Sequence, residues 1–149
     1  MKAVIQRVTE ASVRIEDNIQ GKIQEGMVVL LGIEEDDQDD DFIWMAKKIT
    51  TLRIFNDEKG IMNHSISQEG FNMLVISQFT LCANTHKGHR PSYIKAARPE
   101  KAKPMYLEFC RYCSTLLNKQ VEQGIFGANM QVKLINDGPV TILLDSKNK

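Results

Sequence analysis

The segment Gly26-Met27-Val28-Val29-Leu30-Leu31-Gly32-Ile33 constrains the fold of this chain more than any other stretch. Its apolar side chains follow one another without alternating with polar ones. In an extended chain successive side chains point to opposite faces, so this run expects apolar cover on both. A strand buried on both faces, bounded by glycine, is the expectation. The rest of the chain must supply what lies above and below it.

The flanking segments supply strands and two helices. Ala3–Ile15 is rich in β-branched residues with a rough period of two, interrupted near Glu10-Ala11, and reads as two short strands or one bulged one. Asn18 to Gly21 is turn-like. Acids run from Glu34 to Asp41 with only Gln38 uncharged, and Phe42, Met45, Ala46, Ile49 and Leu52 then recur at helical spacing. A helix from Asp39 to about Ile54, with a solvated acidic entry, is expected. Calcium is the sharper reading of the acids, but no glycine or bidentate Glu stands at loop spacing. Asn56 to Gly60 is a turn, and Met73-Leu74-Val75-Ile76 a strand. Cys82 to Arg98 is expected to be a long surface loop. Glu100 to Val121 reads as a second amphipathic helix, with Pro104 in its first turn and Gly124 beyond its end. Met130–Ile135 and Val140–Leu144 are expected as two last strands joined by Asn136 to Pro139, and the tail Asp145–Lys149 is expected to fray. These elements predict a single α+β domain: an antiparallel or mixed sheet curled toward a barrel, with two main helices packed outside.

Composition narrows the function classes. The chain has 149 residues, enough for one domain with its own core, and its formal net charge is zero. No whole-molecule field points to nucleic acid, so any RNA contact must be local. The N-terminus does not read as a signal peptide, and no segment approaches the roughly 20 apolar residues of a membrane helix. Three cysteines argue against a secreted disulfide scaffold, and the cytoplasm is the expected compartment. Cys110 and Cys113 share a helical face and read as core. As a zinc pair they would need two more ligands at spacing. His64, His86 and His89 do not define a site; a triad with Ser77 or Thr80 could be drawn, without geometry to support it. No metal site is expected.

Two segments break local rules. Ser77-Gln78-Phe79-Thr80-Leu81 puts polar residues at the end of a buried strand. It reads either as an ordinary strand end or as backbone N–H groups and a hydroxyl aimed into a cleft, as an oxyanion hole requires. Asn136-Asp137-Gly138-Pro139-Val140-Thr141 has the Asp-Gly of a hairpin, followed by a proline that removes an N–H where the ladder should restart. It reads as a hairpin with an edge proline or as a backbone feature with a task. A third segment, His86–Lys103, carries Lys87, Arg90, Lys95, Arg98, Lys101 and Lys103 against one acid. It is a phosphate contact or a solvated loop, and Tyr93 within it could stack on a base.

Ser77–Leu81 (SQFTL) and Gly138–Thr141 (GPVT), in this order and at this separation, resemble the paired signature of the D-aminoacyl-tRNA deacylase family. The opening Met1–Val8 (MKAVIQRV), Phe126-Gly127-Ala128, Met130-Gln131-Val132 and Asn136-Asp137-Gly138 extend the resemblance end to end. The resemblance implies hydrolysis of the ester between a D-amino acid and the 3′ end of tRNA, and also of glycine esters, including glycine mischarged on the alanine tRNA. It implies a homodimer in which the Gly138–Pro139 bond is cis and reaches the partner's site. On it, Ser77, Gln78, Phe79 and Thr80 form the catalytic segment, and Gly138, Pro139, Val140 and Thr141 the chirality filter. From the basic strip, Lys87, Arg90 and Lys95 are the expected contacts to tRNA. Neither a metal nor an organic cofactor is implied, and neither a membrane nor DNA is an expected partner. Two other functions remain: a binding module for DNA or RNA without catalysis, and a hydrolase of other small activated esters.

Overall fold

The doubly apolar run forms strand β3 (Gly26–Gly32), in which every residue except Leu30 is buried. A computed structural model describes residues 1–149. Along one edge β3 pairs antiparallel with the first half of β1 (Lys2–Ile15), from Lys2↔Gly32 to Val8↔Gly26. The second half of β1 turns away to pair with β2 (Asn18–Ile23). Along its other edge β3 pairs parallel with β6 (Asn72–Ser77), which in turn pairs with the short β7 (Glu122–Gln123). β2 packs back against β6 and β7, so the mixed sheet curls into a nearly closed barrel. β8 (Gln131–Asp145) runs antiparallel along the remaining side of β1 and leaves its own far edge unpaired.

The two faces of β3 explain its composition. Met27, Val29 and Leu31 join Ile5, Met73 and the helices α1 (Asp39–Thr51) and α3 (Pro99–Leu117) in the larger core, through Met45, Ile49, Phe109 and Cys113. Val28 faces the inside of the curl with Val8, Val13, Leu74 and Ile76. A strand between two apolar layers has no face left for polar residues. The helices meet edge-to-face through Phe42 and Tyr112, with ring centroids 6.3 Å apart. A hairpin of β4 (Arg53–Asn56) and β5 (Met62–Ser65) and the one-turn α2 (Ile66–Glu69) close one end. No helix is long and apolar enough to cross a membrane. The expected α+β class, the curled sheet and the outer helices all hold.

Several local expectations do not. Ala3–Ile15 belongs to one bulged strand rather than two. Asn18–Gly21 is part of β2, because Glu16, with φ 51°, makes the turn instead. The first helix stops at Thr51, and Arg53 begins a strand. The second begins at Pro99, where a missing N–H costs nothing, and ends at Asn118 in the left-handed region. Pro104 therefore lies in its interior, not in its first turn.

The acidic entry to α1 is solvated only in part: Glu35, Asp36, Asp39 and Asp40 are exposed, but three acids are not. Asp37 is fully buried, and Glu34 and Asp41 nearly so. The Met1 ammonium pairs with Asp37 and donates to Ser146 Oγ at 2.8 Å. Lys147 reaches Asp41 at 3.0 Å and Asp37 at 3.3 Å. The tail is therefore fastened rather than frayed as far as Lys147. Burial pushes the Asp41 carboxyl up, but the Gln38 N–H, Lys147 and Ser146 outweigh it and hold the group at about 2.

The largest correction concerns β8. Its two halves are not a hairpin, because both pair with β1 along one line. Gln6 faces Thr141 and Val8 faces Asn136, so two steps on β1 oppose five on β8. The surplus residues bulge out of the ladder and carry Gly138 and Pro139 with them. The spacing of an Asp-Gly turn is the same in either arrangement, and only the partner strand distinguishes them.

Candidate active site

Parallel pairing ends β6 at Ser77, level with Leu31. Beyond it the chain cannot continue as a strand. The Gln78 N–H donates to the Leu31 carbonyl at 2.8 Å, and Phe79–Cys82 wind into a 3₁₀ turn laid over the end of β3. Gly32 makes this approach possible. A Cβ there would stand 2.9 Å from Leu81 Cβ and 3.1 Å from the Gln78 carbonyl oxygen. As at any helix start, the N–H groups of Phe79 and Thr80 have no partner within the turn. Beneath the site the buried Tyr106 hydroxyl donates to the Val75 carbonyl at 2.9 Å and steadies β6.

The turn forms one wall of a largely apolar cleft of about 490 Å³. Ile76, Ser77, Gln78 and Phe79 line that wall. Ala96, Ala97 and Pro99 make the second, held to the end of β3 by the Ala97 N–H on the Ile33 carbonyl at 2.9 Å. Phe126, Gly127, Ala128, Met130 and Val132 make the third. Sequence reasoning did not single out Gly32, at the end of β3, or the Ala96–Pro99 wall, since small residues carry no local signal of what they face.

Gln78 and Thr80 meet directly: the Gln78 amide donates to Thr80 Oγ1 at 2.5 Å. The nearest partner of this hydroxyl is a donor, whereas a nucleophilic hydroxyl needs an acceptor to take its proton. His86 and His89 lie in an exposed loop, and no hydrogen bond joins either to Ser77 or Thr80. His64 is paired instead with Glu69. The triad that could be drawn on paper is not assembled. Cys82 ends the turn, but burial pushes its thiol up to about 11. Cys110 is raised by burial to about 12, and Cys113 is also raised; both point into the core. The acidic side chains of Glu34, Asp36 and Asp37 converge, with Glu34 paired to Lys2 at 3.3 Å and Asp37 to the N-terminus.

Gly138 and Pro139 do not join this cleft. The bulge stands opposite Arg7, whereas Ser77 lies level, through Leu31, with Ala3. Four residues of β1 separate those levels, roughly 13 Å along the strand, and none of Asp137–Thr141 lines the cleft. The Gly138–Pro139 bond is cis. Asn136 ties the neck of the bulge, its amide donating to the Arg7 carbonyl at 2.9 Å and the Val140 carbonyl at 3.0 Å. The Arg7 guanidinium donates to the Ile54 carbonyl at 2.7 Å. Its Nε lies 2.8 Å from Asp137 Oδ2, an ion pair in which the N–H is not aimed at the oxygen. Gly138 has φ +114°, and a Cβ on it would meet Val140 Cγ2 at 2.8 Å and Arg7 Nη2 at 3.0 Å. Thr141 accepts from Gln6 Nε2 at 3.2 Å. Arg7 was missed from sequence, although a signal existed: it follows Ala3 and Ile5 in the inward phase of β1, where a charge is out of place.

Lys87 and Arg90 lie in the exposed loop, and Lys95 is exposed beside the second wall. The Lys95 carbonyl accepts from the Glu35 N–H at 2.9 Å.

The curled sheet with helices packed outside it, and a cleft at a strand end, define a single α+β domain with one largely apolar site. The chain belongs to the D-Tyr-tRNA(Tyr) deacylase family, whose sequence model matches residues 4–145. It is 57% identical over 149 residues to the D-aminoacyl-tRNA deacylase of Bacteroides fragilis strain YCH46, covering 100% of this chain and 99% of that one. Identity and coverage are the same for the D-aminoacyl-tRNA deacylase of Cytophaga hutchinsonii. Among solved structures, the c-Myc DNA Unwinding Element Binding Protein superposes with TM-score 0.93 at 39% identity, over 97% of this chain and 98% of that one. A probable eukaryotic D-amino acid tRNA deacylase superposes with TM-score 0.85 at 14% identity, over 96% and 97%, and shares the fold. The family's enzymes hydrolyse the ester bond of aminoacyl-tRNA.

Proposed function

We propose that the cleft hydrolyses D-aminoacyl-tRNA in a homodimer, with the Gly138–Pro139 bulge of each protomer serving the site of the other. The supporting observation is that the two motifs are built in different parts of one chain. The bulge is clamped by Arg7 and Asn136, and none of its residues lines the protomer's own cleft. The unpaired edge of β8, with Ile135 and Leu143 exposed, offers a surface for a second copy.

The Phe79 and Thr80 N–H groups hold the ester carbonyl oxygen as negative charge develops on it. The partner's Gly138 and Pro139 backbone meets the amino group and the α-carbon. An L side chain would run into that backbone, a D side chain points to solvent, and glycine has nothing to clash. Chirality is thus enforced by rejection, so the identity of the D side chain matters little and glycine esters, including glycine on the alanine tRNA, are also cleaved. Water attacks, assisted by the 2′-hydroxyl of the terminal adenosine, and Gln78 positions that adenosine. Lys87, Arg90 and Lys95 contact phosphates, the enzyme works in the cytoplasm, and DNA is not a partner.

Subunit mixing tests the cross-subunit reading. A Gly138→Ala protein and a protein disrupted in the Ser77–Thr80 turn, each inactive alone, are mixed and allowed to exchange protomers. With random exchange about a quarter of the wild-type sites return on D-Tyr-tRNA. No recovery in protomers shown to have exchanged would put both motifs in one chain. Equal hydrolysis of D-Tyr-tRNA and L-Tyr-tRNA by the wild type would discard the filter. A steep salt slope on generic duplex DNA without any hydrolysis would support the binding module instead.

A further inference from the structure

An exposed aromatic pair stands at the rim of the cleft. Phe79 and Tyr93 meet edge-to-face with centroids 5.1 Å apart, and they remain 58% and 38% exposed. Phe79 belongs to the first wall. Tyr93 is tied to the second, because its carbonyl accepts the N–H of Ala96 at 2.9 Å. Rings of this size are ordinarily more fully buried, and here Phe79 keeps over half of its surface open to solvent and Tyr93 over a third.

Next to the pair the chain leaves the body in one loop. Asn84 and Ser92 close its neck with reciprocal backbone bonds of 2.8 and 2.9 Å, and the Asn84 side chain accepts the His86 N–H at 2.9 Å. Residues 84–91 are all exposed, and they carry His86, Lys87, His89 and Arg90. No acid occurs anywhere from Gly70 to Pro99. A neutral protein has thus gathered positive charge, free of ion pairs at Lys87 and Arg90, beside two partly exposed rings. Rings that stack on bases next to cations that track phosphates are the composition of a surface for single-stranded nucleic acid.

We propose that the Phe79–Tyr93 pair and the 84–92 loop dock the single-stranded nucleotides that precede the terminal adenosine of the substrate. The inference rests on the deacylase reading. The adenosine ester enters the cleft, the penultimate base stacks on Tyr93, and Lys87 and Arg90 meet the phosphates on either side of it. The surface is continuous with the cleft, because Phe79 belongs to both. Every tRNA ends in the same unpaired nucleotides, so such a surface adds affinity without selecting among tRNAs.

The test compares three substrates: D-tyrosyl-adenosine, the D-tyrosyl ester of the trinucleotide CCA, and D-Tyr-tRNA. The wild type should show kcat/KM for the trinucleotide about tenfold above that for the nucleoside, the scale of one stacked base. Tyr93→Leu should abolish this ratio and Tyr93→Phe should keep it. The ratio also cancels any general effect on the neighbouring turn. Lys87→Ala with Arg90→Ala should lower the salt slope of KM for the trinucleotide by about 0.7 for each phosphate contact removed. Equal kcat/KM for nucleoside and trinucleotide, or a ratio untouched by Tyr93→Leu, would overturn the inference alone. If the wild type hydrolyses none of the three, the deacylase reading fails and the inference with it.

Discussion

The Ser77–Thr80 turn and the Gly138–Pro139 bulge are both departures from regular strand, yet they are held in opposite ways. The turn grows from the most buried part of the sheet and is positioned by backbone: the Leu31 carbonyl, a glycine that lets it close, and its own 3₁₀ bonds. The bulge sits on an edge strand, where the backbone ladder is broken, and is positioned by side chains: Arg7 from β1 and Asn136 at its neck. A backbone-held site tolerates side-chain change and fails when the backbone is pushed. A side-chain-held site fails when its clamps are removed. Mutations should tell the two apart.

The largest effect is expected at Gly138. Its positive φ and the 2.8 Å approach to Val140 leave no place for a methyl group, so Gly138→Ala should shift the bulge by a fraction of an ångström or more. We expect kcat/KM on D-Tyr-tRNA to fall by about 100-fold, because misplacement of that order disrupts a positioned reaction. The Tm should drop only by the few degrees that about 1–2 kcal/mol of strain implies. Unchanged kinetics would remove the bulge from the site. Gly32→Ala asks the same of the turn. A Cβ pressed against Leu81 and the Gln78 carbonyl should lift the turn and lower kcat about tenfold or more, with L-Tyr-tRNA still rejected. If Gly32→Ala instead admits the L ester, the two elements are not independent.

Arg7→Met removes the clamp while keeping the apolar stem. About 2 kcal/mol of stability should be lost in urea unfolding, since the Ile54 carbonyl loses its donor and Asp137 its counter-charge. Discrimination between D and L esters should decline more than turnover. Acid should act on the other end of β8. The Asp41 carboxyl is held at about 2, below its ordinary value, so its contribution is complete above about pH 5 and is lost as the pH falls toward 2. Amide exchange at Asp145–Lys147 should accelerate across that window. If the bulge opens at the same pH as the tail, β8 is one unit. The smallest effect is expected from Thr80→Ala. With an amide donor as its nearest partner, the hydroxyl should contribute less than about threefold to kcat. Removal of the substrate 2′-hydroxyl should matter far more, and the reverse ranking would make Thr80 the nucleophile.

The sequence by itself determined the class of the fold and marked out both irregular segments, Ser77–Leu81 and Asn136–Thr141. The run Gly26–Ile33 demanded two apolar layers because successive side chains of a strand point to opposite faces, and the two helical periodicities supplied one of them. The polar end of β6 and the proline after Asp-Gly marked themselves by violating strand chemistry, which needs no knowledge of neighbours. Tertiary structure alone decided what those segments face. A hairpin and a bulge have the same local residues and differ only in whether the second half returns along the first or continues along β1. Asp37 and Asp41 could not be told from their exposed acidic neighbours because their partners, the Met1 ammonium and Lys147, lie at the two ends of the chain. Arg7 and Gly32 matter through atoms brought to them from Asp137 and Leu81, far along the sequence. Local chemistry is written in residue order, whereas charge compensation and close approach depend on distances that only the folded chain sets.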